Sequence, residues 1–195
     1  MKLRQLFEGG NVSIGDVSAN RIDATKRNQV VPILDRTLQA INKHFSKFTK
    51  GTPLWNERLL KSKKFLSGSS FSFFNIPKNE LVERTIDDVQ APQEKPVPTA
   101  RFAKRKPSVS DIDTQVDAEM KDTIQQWLNS LSKGTKIGDA EYVGFKPSGE
   151  QFITLWTFPD ITMTGSNGEE IPTNVQIDLE LKQFKGGEPT SWSRF

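Results

Sequence analysis

The stretch Asp111-Ile112-Asp113 constrains the fold of this chain more than any other feature. In an extended strand, residues i and i+2 point to the same face, roughly 7 Å apart. Both carboxylates would therefore lie side by side, while Ile112 faces a core. Two carboxylates held this close repel each other and raise a pKa unless a cation lies between them. Because hard oxygen ligands suit Mg²⁺, the stretch predicts a strand that carries half of a divalent-metal site.

A second strand can supply the remaining acid. Residues 174–184 alternate between apolar and polar side chains, which makes them the clearest strand of the sequence. Asp178 and Glu180 fall on its polar face. If this strand is the neighbour of the first, three carboxylates (Asp111, Asp113 and Asp178) share one sheet face. Such a set can hold two metal ions about 4 Å apart, as in phosphoryl transfer.

Helices are predicted on both sides of a Pro-rich stretch. Apolar residues recur at helical spacing within residues 26–48, and Pro32 is tolerated in a first turn, so we expect a helix that begins near Val30. Residues 54–64 predict a second helix, which makes residues 26–64 a helical segment. The prolines of residues 76–107 are typical of a flexible insertion.

The sequence after Asp117 predicts a helix followed by further strands of the sheet. A helix should follow Asp117, with Asp117 as its cap and Gly134 at its end. Residues 141–146 and 151–158 are typical of a hairpin with a turn of four or five residues. We therefore expect an α+β fold, in which a small mixed β-sheet carries the carboxylates and is backed by helices. One domain would span residues 1–195, and we assign residues 1–25, its N-terminal segment, no role.

Composition narrows the chemistry of such a site. The 195-residue chain has no Cys and a single His, which excludes Cys-based zinc sites and a Cys nucleophile and nearly excludes Ser–His catalysis. We interpret that residue, His44, as a helix-packing side chain. The formal net charge of +3 permits a phosphate-bearing partner without requiring one. No apolar run is long enough to span a membrane, and we expect a cytoplasmic protein with no membrane partner.

A small-residue turn, Gly68-Ser69-Ser70, adds a second part to the predicted site. Glycine lets the backbone approach an anion closely, and successive N–H groups with Ser hydroxyls can bind phosphates. Alone, such a triplet is typical of an ordinary turn. Its position before the Asp-x-Asp strand, and the single strand Asp that follows later, make the combination more specific.

This order of motifs resembles the DNA polymerase β-like nucleotidyltransferase superfamily. The family pattern is an apolar residue followed by Gly-Ser, then a two-acid strand, then an acid between apolar residues on a neighbouring strand. The matching segments are Leu66-Ser67-Gly68-Ser69, Asp111-Ile112-Asp113 and Ile177-Asp178-Leu179, within about residues 65–182. The chain is also similar to uncharacterised tailed-bacteriophage proteins assigned to that superfamily, which would place it in the host cytoplasm.

The resemblance implies a nucleotidyltransferase fold. The implied reaction moves a nucleoside monophosphate from an NTP, such as ATP, to an acceptor hydroxyl and releases pyrophosphate. Asp111 and Asp113 would bind two Mg²⁺ ions, with Mn²⁺ as the alternative, and Asp178 would complete the site of the ion that activates the acceptor. The acceptor is unknown, with RNA or a nucleotide as candidates.

The implied phosphate contacts are Gly68 and Ser69, with Ser70 as a helper. Three departures from the family pattern concern these contacts and the acceptor. The spacing from Gly68 to Asp111 is far longer than usual, as an insertion would explain, and the Gly or Arg common soon after Gly-Ser is missing. The chain also stops at Phe195, where many members continue, so we expect either a minimal member or an N-terminal fragment of a longer protein.

Other interpretations stay open at this point. The first alternative is a non-enzymatic nucleic-acid-binding or virion-associated module that uses the basic residues of 95–106, or a degenerate transferase that only binds nucleotide. The second alternative is a two-metal hydrolase. Glu180 is either a fourth acid of the predicted metal site or an exposed strand residue. We interpret Trp127 and Trp156 as core residues rather than base-stacking ones.

Overall fold

The computed structural model describes most of the chain, in separate ranges. These are residues 12–23, 26–62, 65–67, 70, 108–109, 111–164 and 167–190. The predicted phosphate contacts Gly68 and Ser69, and the predicted insertion at residues 76–107, lie outside them. Of the Gly-Ser-Ser turn, only Ser70 is described.

The described chain is a mixture of short strands, long strands and helices. In chain order the elements are β1 (Ser13–Ile14), β2 (Val17–Ser18), β3 (Ile22–Asp23), α1 (Arg27–Phe48), α2 (Leu59–Ser62), β4 (Ser108–Val109), β5 (Asp111–Asp117), a 3-10 turn (Ala118–Met120), α3 (Lys121–Ser130), β6 (Lys136–Ile137), β7 (Ala140–Ser148), β8 (Gln151–Thr164), β9 (Glu170–Lys182), β10 (Phe184–Lys185) and β11 (Glu188–Pro189).

Five of these strands form one mixed sheet in the order β5-β9-β8-β7-β6. β5 runs parallel to β9, and every other neighbouring pair is antiparallel. The free side of β5 carries one further antiparallel bridge, between Leu66 and Thr114. The α+β class and the small mixed sheet are therefore confirmed.

The β7–β8 hairpin is present but its turn is shorter than predicted. The strands pair up to Ser148 and Gln151, which leaves Gly149 and Glu150 as a two-residue turn. Gly149 has a φ of +59°, a conformation that glycine adopts without the steric cost of a side chain. The pairing therefore continues further into the Lys-Pro-Ser segment than turn propensity suggests.

The helices differ from the predictions at their ends. α1 begins at Arg27 rather than near Val30, so Pro32 lies inside it. Proline there removes only the hydrogen bond to the Asn28 carbonyl, in the first turn, so the helix accommodates it. The second predicted helix is only the short α2, because Trp55 is held in an extended loop by Asn42. The Asn42 amide donates to the Trp55 carbonyl at 2.8 Å and its oxygen accepts from the Trp55 N–H at 3.1 Å.

The helix after β5 is confirmed, with one correction. The Asp117 carboxylate accepts a hydrogen bond from the Glu119 N–H at 3.0 Å, which is the predicted cap. The helix ends at Ser130, whereas Gly134 lies in the following turn with a φ of +85°. Gly134 instead donates its N–H to the Tyr142 carbonyl at 2.7 Å, so this turn is hydrogen-bonded to β7.

Both helices bury apolar side chains against one face of the sheet. The buried stripe of α1 includes Leu34, Leu38 and Phe45, and Phe45 meets Trp127 of α3 edge-on at 5.3 Å. Ile112 on β5 joins the same core, as predicted. No helix among the described residues is long and apolar enough to cross a membrane.

The opposite face of the sheet is also largely covered. The β1–β2 hairpin packs near β7, and Asn20 and Asn174 exchange hydrogen bonds at 2.7 and 2.8 Å. Asp178 and Gln176, on the polar face of β9, are only 4% and 5% exposed. This covered polar face carries the acidic residues.

Candidate metal centre

The three predicted acids converge on the polar face of the sheet. Because β5 and β9 are parallel neighbours, Asp113 lies directly beside Asp178 and Asp111 beside Gln176. One carboxylate oxygen from each of Asp111, Asp113 and Asp178 lies within 4.8 Å of the others. The predicted adjacency of the two strands is thus confirmed, and the three carboxylates lie close enough to bind one metal ion.

Strand alternation explains why these acids share a face. On β5, the half-buried Asp111 and Asp113 alternate with the fully buried Ile112 and Thr114. The Thr114 hydroxyl donates to the Asp178 carbonyl at 2.8 Å, which ties the two strands together from the core side. The apolar core therefore fixes the register that brings the carboxylates together.

Ser70 braces the acidic strand through its backbone. Its buried hydroxyl donates to the Asp111 carbonyl at 3.1 Å and accepts from the Asp113 N–H at 2.8 Å. Just before it, the Ser67 N–H donates to the Asp113 carbonyl at 3.1 Å. The sequence predicted a phosphate contact for Ser70, whereas in the structure its hydroxyl is used to hold the Asp-x-Asp backbone.

Burial and mutual repulsion raise the pKa values of two acids of the cluster. Burial, reinforced by the charges of Asp111, Asp178 and Glu180, raises the pKa of Asp113 from 3.8 to about 8. Burial also raises the pKa of Asp178 to about 7, with Asp111 and Glu180 adding to it and a hydrogen bond from Gln176 opposing it. A divalent cation among these oxygens would reverse both shifts.

Gln176 is a site residue that the sequence analysis missed. Its amide nitrogen donates to both carboxylate oxygens of Asp178 at 3.0 Å, and its oxygen accepts from the Val12 N–H at 3.4 Å. The signal was its place on the polar face of the same strand, two residues before Asp178. Since glutamine is not a preferred metal ligand, pattern alone gave no reason to select it.

Glu180 lies at the edge of the cluster. Its carboxylate accepts from the Ser67 hydroxyl at 2.8 Å and lies 3.9 Å from the Lys182 ammonium. It raises the pKa of both Asp113 and Asp178, yet it is outside the set of oxygens within 4.8 Å of one another. Glu180 is therefore neither a fully exposed strand residue nor one of the three converging acids.

The other candidate residues have structural surroundings. Trp127 and Trp156 are each 1% exposed and belong to the core, as interpreted from sequence. His44 packs against α3, where its Nδ1 accepts from the Trp127 indole at 3.0 Å, and burial lowers its pKa. Asp117 is occupied as a helix cap.

The donor chemistry fits a hard divalent cation. All three converging ligands are carboxylates, which suit Mg²⁺ or Mn²⁺. Comparisons of the chain with protein-family models, with curated proteins and with solved structures found no match. The geometry and electrostatics of this cluster are therefore the features that bear on function.

Proposed function

We propose that the protein is a metal-dependent nucleotidyltransferase. It would move a nucleoside monophosphate from an NTP to an acceptor hydroxyl and release pyrophosphate. The observation that carries this proposal is the convergence of Asp111, Asp113 and Asp178 on two adjacent parallel strands. A further support is that the segment of residues 65–67, which precedes the predicted phosphate-binding turn, pairs antiparallel to the acidic strand.

Asp111 and Asp113 would hold two Mg²⁺ ions, and Asp178 would complete the site of one of them. When bound, the ions supply charge neutralisation for the phosphates and a lowered pKa for the attacking hydroxyl. The carboxylates present in the structure fit that role, because their oxygens converge and two of them have pKa values near neutrality.

The surrounding residues keep the acids in place. Gln176 fixes the plane of the Asp178 carboxylate through two hydrogen bonds, and Ser70 fixes the backbone of Asp111 and Asp113. Holding ligand groups in a preset geometry avoids reorganisation during the reaction, which is a large part of catalysis in phosphoryl transfer. The scarce exposure of Asp178 limits access of bulk water to the inner side of the cluster.

The test is a transfer assay with labelled nucleotides. The protein is incubated with each α-labelled NTP and Mg²⁺, alone and with RNA or a cell lysate. Label retained on an acceptor, together with released pyrophosphate, supports the proposal. The Asp113→Asn variant should be inactive, whereas Asp117→Asn should keep its activity, since Asp117 caps a helix outside the cluster.

Three results would contradict the proposed activity or its assigned residues. Free nucleoside monophosphate without a labelled acceptor would identify a hydrolase. If wild type binds nucleotide without turnover, and Asp113→Asn binds nucleotide equally well, the protein only binds nucleotide. Equal turnover in wild type and Asp113→Asn would exclude the assigned metal ligands.

A further inference from the structure

A groove on the outer side of α1 carries a separate concentration of positive charge. It has a volume of about 650 Å³ and lies between the C-terminal half of α1 and the loop at residues 53–58. Lys43, Lys47 and Lys50 line its helix side. These lysines are exposed, and Lys43 and Lys47 lie on the face of α1 opposite its buried stripe.

The three lysines are exposed cations of the groove, and Glu57 is the acid among its described lining residues. Lys43 and Lys47 are four residues apart, so they share one face of α1, about 6 Å apart along its axis, and Lys50 follows in the turn after the helix end. Within the described part of the chain, none of them forms an ion pair. Arg58, the fourth cation of the groove, differs because it is paired with Asp35. Like charges at such spacing repel and slightly destabilise the helix.

Lys50 is present at a position that favours glycine. It has a φ of +59° and follows the helix end in a closing turn, in which the Gly51 N–H donates to the Ser46 carbonyl at 2.8 Å and the Lys50 N–H to Lys47 at 3.3 Å. The residue at this point of such a turn is usually glycine, because a side chain there is strained. The helix end therefore keeps a lysine at a cost in stability.

The wall facing the lysines is held rigidly. Asn42 on α1 makes two hydrogen bonds to the backbone of Trp55, at 2.8 and 3.1 Å. The Trp55 side chain is 2% exposed, so it anchors this wall in the core rather than offering a ring to a ligand. The groove thus exists before any ligand binds, which reduces the ordering cost of binding.

We propose that this groove binds the phosphate backbone of a single-stranded nucleic acid through Lys43, Lys47 and Lys50. Several cations along one groove complement a linear polyanion. An anionic membrane fits less well, because interfacial binding needs apolar side chains to insert. Among the described residues, the one exposed large apolar side chain is Phe48, which does not line the groove. The proposal does not depend on the metal centre.

The first experiment measures how binding depends on salt. A fluorescein-labelled 20-nucleotide RNA of mixed sequence is titrated with protein between 50 and 200 mM KCl, with fluorescence anisotropy as the readout. Each phosphate contact contributes about 0.7 to the slope of log K against log salt for single strands. Replacing Lys43, Lys47 and Lys50 by Gln should make the slope shallower by about 2 and weaken binding at 50 mM KCl at least about tenfold.

The matched control removes the same charge elsewhere. Lys121, Lys146 and Lys185 are exposed and distant in sequence from the groove residues, so their triple Gln variant should bind the RNA within about twofold of wild type. An equal loss in both triple variants would mean that net charge alone drives binding and would overturn the proposal. Absence of measurable RNA binding by wild type would do the same.

A single substitution separates binding from folding. Lys50→Gly should raise the melting temperature, because glycine relieves the left-handed strain, and should weaken RNA binding several-fold with a slope shallower by about 0.7. Unchanged RNA affinity in this more stable variant would remove Lys50 from the site. The proposal would also be refuted if the protein does not bind RNA but binds vesicles of 30% phosphatidylserine through the same lysines. That result would identify a membrane-binding surface.

Discussion

The Asp113→Asn variant tests whether the acidic cluster is built for a cation. In the metal-free protein the pKa of Asp113 is raised from 3.8 to about 8. Between about pH 4 and pH 8 the folded state therefore keeps a proton that the unfolded chain releases. Stability must then fall as the pH rises through this window, by up to about 1.4 kcal/mol per pH unit.

The size of the stability loss follows from the width of this pH window. Raising the pKa of Asp113 from 3.8 to about 8 corresponds to roughly 6 kcal/mol as an upper limit. Asp113 is only half-buried, so solvent screening reduces this value. We expect a loss of about 2–3 kcal/mol between pH 5.5 and pH 8.5, or roughly 5–10 °C in melting temperature for a chain of this length. Asparagine cannot ionise, so the Asp113→Asn variant should keep only the loss that comes from Asp178, whose pKa is raised to about 7, and at pH 8.5 it should melt above wild type in EDTA.

Addition of Mg²⁺ should make wild type melt above Asp113→Asn. For a dissociation constant of about 100 µM, 10 mM Mg²⁺ stabilises the wild type by about 2.7 kcal/mol, whereas Asp113→Asn should gain little. Differential scanning fluorimetry at both pH values, with EDTA or Mg²⁺, measures all of this. Asp117→Asn is the control, because asparagine also caps helices. If wild type does not lose stability between pH 5.5 and pH 8.5 in EDTA, or if Asp113→Asn responds to Mg²⁺ like wild type, the reasoning is refuted.

Three further predictions concern the surroundings of the cluster. Mg²⁺ binding near pH 7.5 should release protons, because the pKa values of Asp113 and Asp178 are about 8 and 7. The affinity for Mg²⁺ should therefore rise with pH. A calorimetric binding enthalpy that is identical in Tris and phosphate buffers would contradict this proton release. Ser70→Ala should cost about 1–3 kcal/mol in urea unfolding, since it removes two partly buried hydrogen bonds made by a buried hydroxyl. An unfolding midpoint equal to that of a surface control, Ser130→Ala, would show that these bonds are dispensable. Gln176→Leu should weaken Mg²⁺ binding about 10–100-fold by releasing the Asp178 carboxylate, and an affinity within twofold of wild type would exclude a positioning role.

The parts of the site that sequence could predict are those governed by local alternation. Ile112 between two aspartates, and Asp178 between Ile177 and Leu179, each identify a strand with one apolar face. The helix cap at Asp117 was predictable for the same reason, since capping depends on near neighbours. The adjacency of β5 and β9 was a hypothesis from chemistry, because parallel pairing between distant segments leaves no local signal.

What sequence could not predict depends on contacts between distant segments. The segment that contains Val12 and Asn20 covers part of the polar face of β9, which local alternation does not predict. Residues 54–58 looked helical, yet two hydrogen bonds from Asn42 hold them in a loop. In both places a tertiary contact overrides the local preference. Gln176 was missed because its role depends on the orientation of a neighbouring carboxylate.

The partners of the acids argue for a cation rather than a structural ion-pair network. Structural networks also perturb pKa values, but they do so by placing Lys or Arg beside the carboxylates. Among the described residues, no Lys or Arg forms an ion pair with Asp113 or Asp178; the side chains that support them are neutral, from Ser70 and Gln176. The Ser70 hydroxyl accepts from the Asp113 backbone N–H and the Gln176 amide donates to the Asp178 carboxylate, so neither side chain cancels a charge. The arrangement is thus least stable when metal-free at high pH, and a divalent cation is the ligand that removes this instability.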